Sequence, residues 1–343
     1  MAVTIRDVAR RAGVSQATAA RALGGYGHVS GTARRRVEAA ADALSYVPNS
    51  VARALASGVT RAVGLVISDI ENPFFAAAAR GMSDVLEERG HTVLLTNSDE
   101  DLDRERTAIE TLRSRRVDAL VVVPCSGTPS PHLRAAAAGA APLVLLDRPV
   151  RGLGVDSVTV DNAAGARSAV EHLLSHGHRR IGLVSDKPEI TSSAERIHGY
   201  REALAAAGLG VDDHLISLGG PTRQDGYLGA RRLLEAPDRP TALFTANNLM
   251  TVGAMHALRD LGLRIPQDIS LVGFDDLEWT TLVDPPLTVV AQSATALGQT
   301  AGRRVLARLD GSGGRPRRIN LETRLIVRAS CGRPGAASAR RGT

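Results

Sequence analysis

Lysine is almost missing from this chain. Lys187 is the single one among 343 residues, and arginine carries nearly all the positive charge. With abundant alanine and glycine, that bias points to a GC-rich coding sequence. Aromatic residues are scarce as well, and Trp279 is the only tryptophan. The two cysteines, Cys125 and Cys331, lie far apart and read as free thiols rather than a disulfide. No apolar run reaches the roughly 18 residues of a membrane span, and no signal-type run opens the chain. A cytoplasmic protein without membrane contact is therefore expected. The P-loop, the G-x-S-x-G elbow and H-E-x-x-H are all missing, so no enzyme and no cofactor is indicated.

What is present concentrates at residues 4–55. Thr4 is a good N-cap, and Ile5, Val8, Ala9 and Ala12 fall at helical spacing. Gly13 breaks that helix as the tight turn of a helix-turn-helix requires. Ser15 caps a second helix over 16–23, which Gly24 and Gly25 stop. A third places Val37, Ala40, Ala41 and Leu44 on one face, with Arg34, Arg35 and Arg36 near its start. Three short helices of this kind can bury one small core.

The second helix has the character of a base reader. Gln16 sits in its first turn, and Ala17 and Arg21, four apart, share a face. Arginine can grip guanine O6 and N7, glutamine suits adenine, and alanine can touch a thymine methyl. The alternative is that Arg21 is a solvated surface charge. Charge placement favours a reader. Residues 1–60 hold eight arginines and three acidic residues, a balance of +5 out of +6 for the whole chain. A basic excess confined to one small unit is the footprint of phosphate contact.

These residues also carry a resemblance. T-I-x-D-V-A-x-x-A-G-V-S at 4–15, T-x-x-R at 18–21, H-V-S at 28–30 and Y-V-P-N-x-x-A-x-x-L at 46–55 closely resemble the headpiece of the lactose-repressor (LacI/GalR) family of bacterial transcription regulators. The resemblance implies DNA contacts from Thr4, Ser15, Gln16, Ala17, Thr18, Arg21, His28 and Ser30. Ala19-Ala20 stands where the family usually shows Val-Ser, which removes one hydroxyl. Asn49 can cap a helix over 50–56 that is too short to persist alone. In the family this is a hinge helix that pairs with its dimer mate in the minor groove, where a leucine wedges between base steps. Leu55 matches that leucine, and Arg53 could reach phosphate. A plain linker is the alternative.

From residue 61 strands alternate with helices. Strand-like runs lie at 62–67, 92–96, 119–123, 143–147, 157–160, 180–185, 242–246 and 270–274. Helical stretches lie at 74–89, 102–115, 162–176, 194–207, 223–235 and 249–261. Near-continuous apolar strands between helices indicate parallel sheets covered on both faces. The series is too long for one comfortable sheet and fits two similar lobes meeting near residue 161. The expected fold class is an N-terminal all-α helix-turn-helix headpiece followed by an α/β, periplasmic-binding-protein-like effector domain of two doubly wound lobes. The expected domains are a headpiece at 1–48, a hinge helix and linker at 49–60, and an effector-binding and dimerisation domain at 61–333. Its N-lobe takes about 61–160 plus 292–322, and its C-lobe about 161–291 plus 323–333. Residues 334–343 read as a disordered tail.

In open parallel sheets, ligands bind beyond the carboxyl ends of the strands. Those ends are polar here: Ser68-Asp69, Asp147-Arg148, Asp161, Ser185, Asn247-Asn248 and Asp275-Asp276. Facing lobes would enclose a cleft suited to hydroxyl groups. The resemblance assigns several residues to an effector. Asp275 of G-F-D-D, Arg196 of R-x-x-G-Y and Asn247 of A-N-N-L-M-T-V-G match family effector positions, while Asn248 replaces the usual Asp. The loop D-I-E-N-P-F-F offers Asp69, Asn72, Phe74 and Phe75. Asp147 follows in L-L-D-R-P, and Trp279 could stack on a sugar ring. Structural alternatives stand beside these. Asp69 and Asp275 could cap helices, Arg196 could pair with Glu195, and Phe74 and Phe75 could be core.

His172, His176 and His178 raise a metal site, but no carboxylate or cysteine accompanies them, and none is expected. The resemblance implies a homodimer on a pseudo-palindromic double-stranded operator, repressing transcription and switched by a small molecule, with a carbohydrate as the best class. Activation, a sugar-binding module without regulation, and an enzyme on a doubly wound fold are the competing readings.

Overall fold

A computed structural model describes residues 3–24, 26–46 and 58–334. They fall into two compact units that divide near residue 62, with segment 115–118 going with the first.

The first unit holds α1 (Ile5–Ala12), α2 (Gln16–Gly24) and α3 (Gly31–Ala43). Gly13 ends α1 at φ 62°, the left-handed turn that glycine adopts without strain. The core is small and built largely from alanine: Val8, Ala9, Ala12, Ala19, Ala22, Val37, Ala40 and Ala41. Ala19, at the position where the family usually has valine, is fully buried in it. Two of the three α3 arginines turn toward the other helices. Arg34 donates to the Ala22 carbonyl at 3.1 Å. Arg36 donates to the Ala12 carbonyl and, at 3.2 Å, to that of Gly13. Both satisfy carbonyls left open at helix C-termini.

The second unit contains two six-stranded sheets. One comprises β1 (Ala62–Ile67), β2 (Thr92–Asn97), β3 (Ala119–Val122), β4 (Leu143–Leu146), β5 (Asp156–Val160) and β11 (Arg318–Leu321). Its order is β11-β5-β4-β3-β1-β2. The other comprises β6 (Ile181–Asp186), β7 (Ile216–Gly219), β8 (Ala242–Thr245), β9 (Ser270–Phe274), β10 (Thr288–Ala291) and β12 (Arg324–Ile326). Its order is β12-β10-β9-β8-β6-β7. β12 runs antiparallel to β10, an exception to the all-parallel expectation at one sheet edge. Strands β7, β10, β11 and β12 were not read from the sequence.

Helices cover both faces of each sheet. On the first sheet, α4 (Pro73–Glu87) and α12 (Ala294–Leu309) pack one face. Buried residues of α5 (Leu102–Ser114) and α6 (Pro131–Ala137) lie in the same lobe. On the second sheet, α7 (Asn162–Ser175) and α8 (Thr191–Ala206) cover one face. The other carries α9 (Arg223–Leu234) and α10 (Asn248–Asp260), with the short α11 (Trp279–Leu282) near its edge. The chain returns to the first lobe for α12 and β11, then to the second for β12.

Glycines set the closest helix approaches. A Cβ on Gly298 would collide with the Ala78 carbonyl, so α12 and α4 pack backbone to backbone. A buried carboxylate then locks α12 to β5. Asp156 accepts from Arg304 at 2.8 Å, Arg308 at 2.6 Å and the Arg317 amide at 2.7 Å. Burial works to raise its pKa, but Arg308, the Arg317 amide and Arg304 outweigh burial and hold it below the ordinary range. His178 is likewise structural. Its ring bonds Thr241 Oγ1 at 2.9 Å and, through Nε2, Ser270 Oγ at 3.0 Å and the Gly332 carbonyl at 2.9 Å. Cys125 and Cys331 are free thiols. Among the described residues no helix is long and apolar enough to cross a membrane.

Candidate functional site

In the first unit, α2 exposes the residues of its first turn. Ser15 caps the helix by accepting from the Thr18 amide at 3.1 Å, and its hydroxyl lies 2.9 Å from that of Thr18. Gln16 and Ala17 are exposed in the first turn. Arg21 is half-buried. Its Nε donates to the Ala17 carbonyl at 3.3 Å, and its stem lies against Gly27, where a Cβ would meet Cδ at 3.0 Å. A half-anchored arginine loses less freedom when it binds than a free one. Thr4 and Ser30 act as helix caps. The Thr4 hydroxyl donates to Asp7 at 2.7 Å, and Ser30 Oγ accepts from the Ala33 amide at 3.3 Å. That Thr4 hydrogen bond is the main reason the Asp7 carboxyl lies below its ordinary range. His28 is exposed. Asn49, Arg53 and Leu55, with the expected helix over 50–56, lie outside the described residues.

In the second unit, the carboxyl ends of both sheets meet at one narrow polar cleft, drawn in until about 30 Å³ of free space remains between its walls. Asp69, Asn72, Phe74, Phe75, Asp147, Arg196, Asn247 and Asp275 all line it. Asp147 and Asp275 sit just past β4 and β9 with φ of 65° and 80°. Left-handed backbone at a non-glycine residue costs about 1–3 kcal/mol and concentrates at functional sites. Both carboxylates are buried.

Arg196 is fixed on three sides. Its Nε donates to Asn162 Oδ1 at 2.8 Å, Nη1 donates to the Ala246 carbonyl, and its guanidinium lies 3.7 Å from the centre of the Phe274 ring. Glu195 is not its partner, pairing instead with Arg318 at 3.1 Å. Asn247 caps α10 through the Met250 amide at 2.7 Å and points its Nδ2 toward Asp186. Phe74 and Phe75 serve both readings, since they line the cleft and belong to the first lobe's core. Trp279 is placed elsewhere, packed on the second lobe's apolar cluster and outside the cleft lining. Asp161 caps α7, and Asp276 pairs with Arg328 at 2.7 Å.

Several lining residues escaped the sequence reading. Arg148 was visible as a strand-end residue but not as part of the site. Its two terminal nitrogens grip Glu100 at 2.7 and 2.6 Å. Asp186 ends β6 and is fully enclosed. Burial pushes its carboxyl up to about 6, against the pull of Arg148 and Arg196. Asp147 is raised for the same first reason. Gln292 follows β10 and donates to Asp275 Oδ1 at 2.5 Å. The strand-end rule would have found Asp186 and Gln292, had β10 been recognised and β6 been extended by one residue. Nothing local marks Glu100.

The two lobes are bridged by two sets of hydrogen bonds. Asn248 Nδ2 donates to Asp275 Oδ2 at 2.8 Å and to Asn72 Oδ1 of the other lobe at 2.9 Å. In the second set, the Gly127 amide donates to the Glu189 carbonyl at 3.0 Å, and Thr191 Oγ1 donates to the Pro149 carbonyl at 3.1 Å. The Asp usual in the family at position 248 could make neither of the Asn248 side-chain bonds, because an ionised carboxylate only accepts.

A small helical unit presenting a capped recognition-type helix, joined to two α/β lobes around a polar cleft, defines a ligand-binding DNA regulator. Residues 4–49 match the family model for bacterial regulatory proteins of the lacI family, and residues 170–331 match that for periplasmic binding protein-like domains. Catabolite control protein A of Priestia megaterium is 36% identical over 304 residues, 88% of this chain and 91% of its own. The lac repressor dimer bound to operator and the anti-inducer ONPF superposes with a TM-score of 0.84 at 29% identity, covering 96% of this chain and 99% of that one. A complex of the transcriptional regulator CelR with cellobiose gives 0.73 at 34% identity, covering 96% and 100%. The chain belongs to the lacI family of bacterial regulatory proteins, which are transcriptional regulators and not enzymes.

Proposed function

We propose that this protein is a repressor that binds a pseudo-palindromic operator as a homodimer and is switched by a small carbohydrate-like effector held between its lobes. The observation that carries this is the cleft, where buried carboxylates, two guanidinium groups and amides from both lobes converge on one point between the sheets. Hydroxyl groups can donate to the carboxylates and accept from the amides and Arg196, and the two phenylalanines supply an apolar wall. Asp69, Asn72, Asp147, Arg196, Asn247 and Asp275 are the proposed effector contacts.

Gln16, Ala17 and Arg21 would read bases, with Thr4, Ser15, Thr18, His28 and Ser30 holding backbone, consistent with the exposure of Gln16, Ala17 and His28. Asn49, Arg53 and Leu55 would form the hinge helix, with Leu55 as the wedge in the minor groove. The division of labour is a headpiece at 1–48, a hinge at 49–60 and an effector and dimerisation domain at 61–333, acting at the nucleoid in the cytoplasm. The effector controls DNA affinity only by binding one lobe arrangement better than another. The test is selection of operator sequences from a random duplex pool with the full-length protein. Recovery of an inverted-repeat site is the expected result, and recovery of no consensus would refute the reading.

A further inference from the structure

The cleft is lopsided in charge and in hydrogen-bonding character. Five carboxylates line it, those of Asp69, Glu100, Asp147, Asp186 and Asp275, against the guanidinium groups of Arg148 and Arg196. Arg148 is already spent on Glu100 and on the Pro124 carbonyl, the latter at 3.1 Å. Arg196 has Nε and Nη1 committed, leaving one nitrogen for a ligand. The buried atoms that find no hydrogen-bond partner among the described residues include Asp147 Oδ1 and Gln292 Oε1, both acceptors, and a single donor on these arginines, Arg148 Nε. Asp186 receives only long bonds, 3.3 and 3.4 Å, from Asn247.

From this we infer that the effector is an uncharged polyhydroxy compound, an unmodified sugar, and that sugar phosphates and sugar acids are rejected. The inference rests on the effector reading above. A sugar hydroxyl donates to Asp147 or Gln292 and accepts from Arg196 with the same oxygen. A phosphate or carboxylate at neutral pH brings oxygens that mainly or only accept into a wall of acceptors. Its charge adds to an excess of carboxylates in a desolvated space. The guanidinium donors left to it are Arg196 Nη2 and the single Arg148 Nε, and the terminal nitrogens of Arg148 cannot turn to it without abandoning Glu100.

The test uses the full-length protein with glucose, galactose, ribose and cellobiose, each beside a phosphorylated or oxidised counterpart, by thermal shift and titration calorimetry. A neutral member is expected to bind, with its anionic counterpart about 100-fold or more weaker. Asp147→Asn, which replaces one acceptor by donors, should weaken the neutral sugar about tenfold, since each orphaned polar contact costs on that scale. An anionic member binding as tightly as its neutral partner would overturn the inference and leave the effector reading standing. Binding of neither kind, with operator DNA still bound, would overturn the effector reading and this inference together.

Discussion

Single residues carry the two recognition tasks. Arg21 is held by the Ala17 carbonyl and lies against Gly27, and we propose it as a specificity residue more than a general cation. Arg21→Ala should cost about 1–3 kcal/mol at one guanine per half-site and relax preference there, read by affinity against a panel of operator variants. An equal loss on random DNA would reduce Arg21 to a phosphate contact. Asp186 gives a second residue-scale expectation. Its carboxyl is pushed up to about 6 in the folded protein from an ordinary value of 3.8. The folded state then holds more protons than the unfolded state between those values. Stability from this group is present below pH ~4 and is lost as pH rises through ~6. The melting profile of Asp186→Asn should lack that decline, and a profile parallel to wild type would show Asp186 to titrate normally. Asp69, Asp147, Asn247 and Asp275 were legible as cleft residues because strand-end position and family motif agreed on them, and Arg196, inside a helix, from the family motif alone. Glu100 was not, because it reaches the cleft only through Arg148, whose hold on it is a tertiary contact. Trp279 was offered as a candidate stacking platform because it is the single tryptophan and follows G-F-D-D, but it packs on the second lobe's apolar cluster, outside the cleft lining.

Elements were legible where their pattern was strong. Buried strands such as Ala62–Ile67 and Ser270–Phe274 stand out as unbroken apolar runs. Edge strands did not, because Arg318–Leu321 and Arg324–Ile326 are short, partly exposed and defined by their partners. Helix α12 was not read as a helix, although its segment, 292–322, was assigned to the first lobe, where it is central. Its closeness to α4 leaves no room at position 298. Gly298→Ala should lower stability by about 1–3 kcal/mol through overpacking, measured by urea unfolding. No change in midpoint would mean the helices separate freely. The link from α10 across the cleft is a second element-scale device. Asn248→Asp would set a carboxylate against Asp275 and against Asn72 Oδ1, removing two donors and adding like charge. It should destabilise the bridged arrangement by about 1–3 kcal/mol, visible as lower ligand affinity and melting temperature, whereas wild-type behaviour would show the bridge to be dispensable.

At the scale of the molecule, charge and chemistry divide along the chain. The basic excess sits in the first 60 residues, and the remainder is near neutral while enclosing an acidic cleft. That division was readable from the sequence because charge counts do not depend on tertiary contacts. The bridging of the cleft was not, since Gly127–Glu189, Thr191–Pro149 and Asn72–Asn248 pair residues far apart in the chain. A DNA-holding unit coupled to a ligand-holding unit is the central claim. The direct measurement is fluorescence anisotropy of a labelled selected operator with full-length protein, repeated as the neutral sugar that binds the cleft is added. The account predicts sequence-specific binding whose apparent Kd shifts by about 5–150-fold with saturating sugar, the ordinary range of such coupling. An operator affinity that stays constant while calorimetry shows the cleft filled would contradict it.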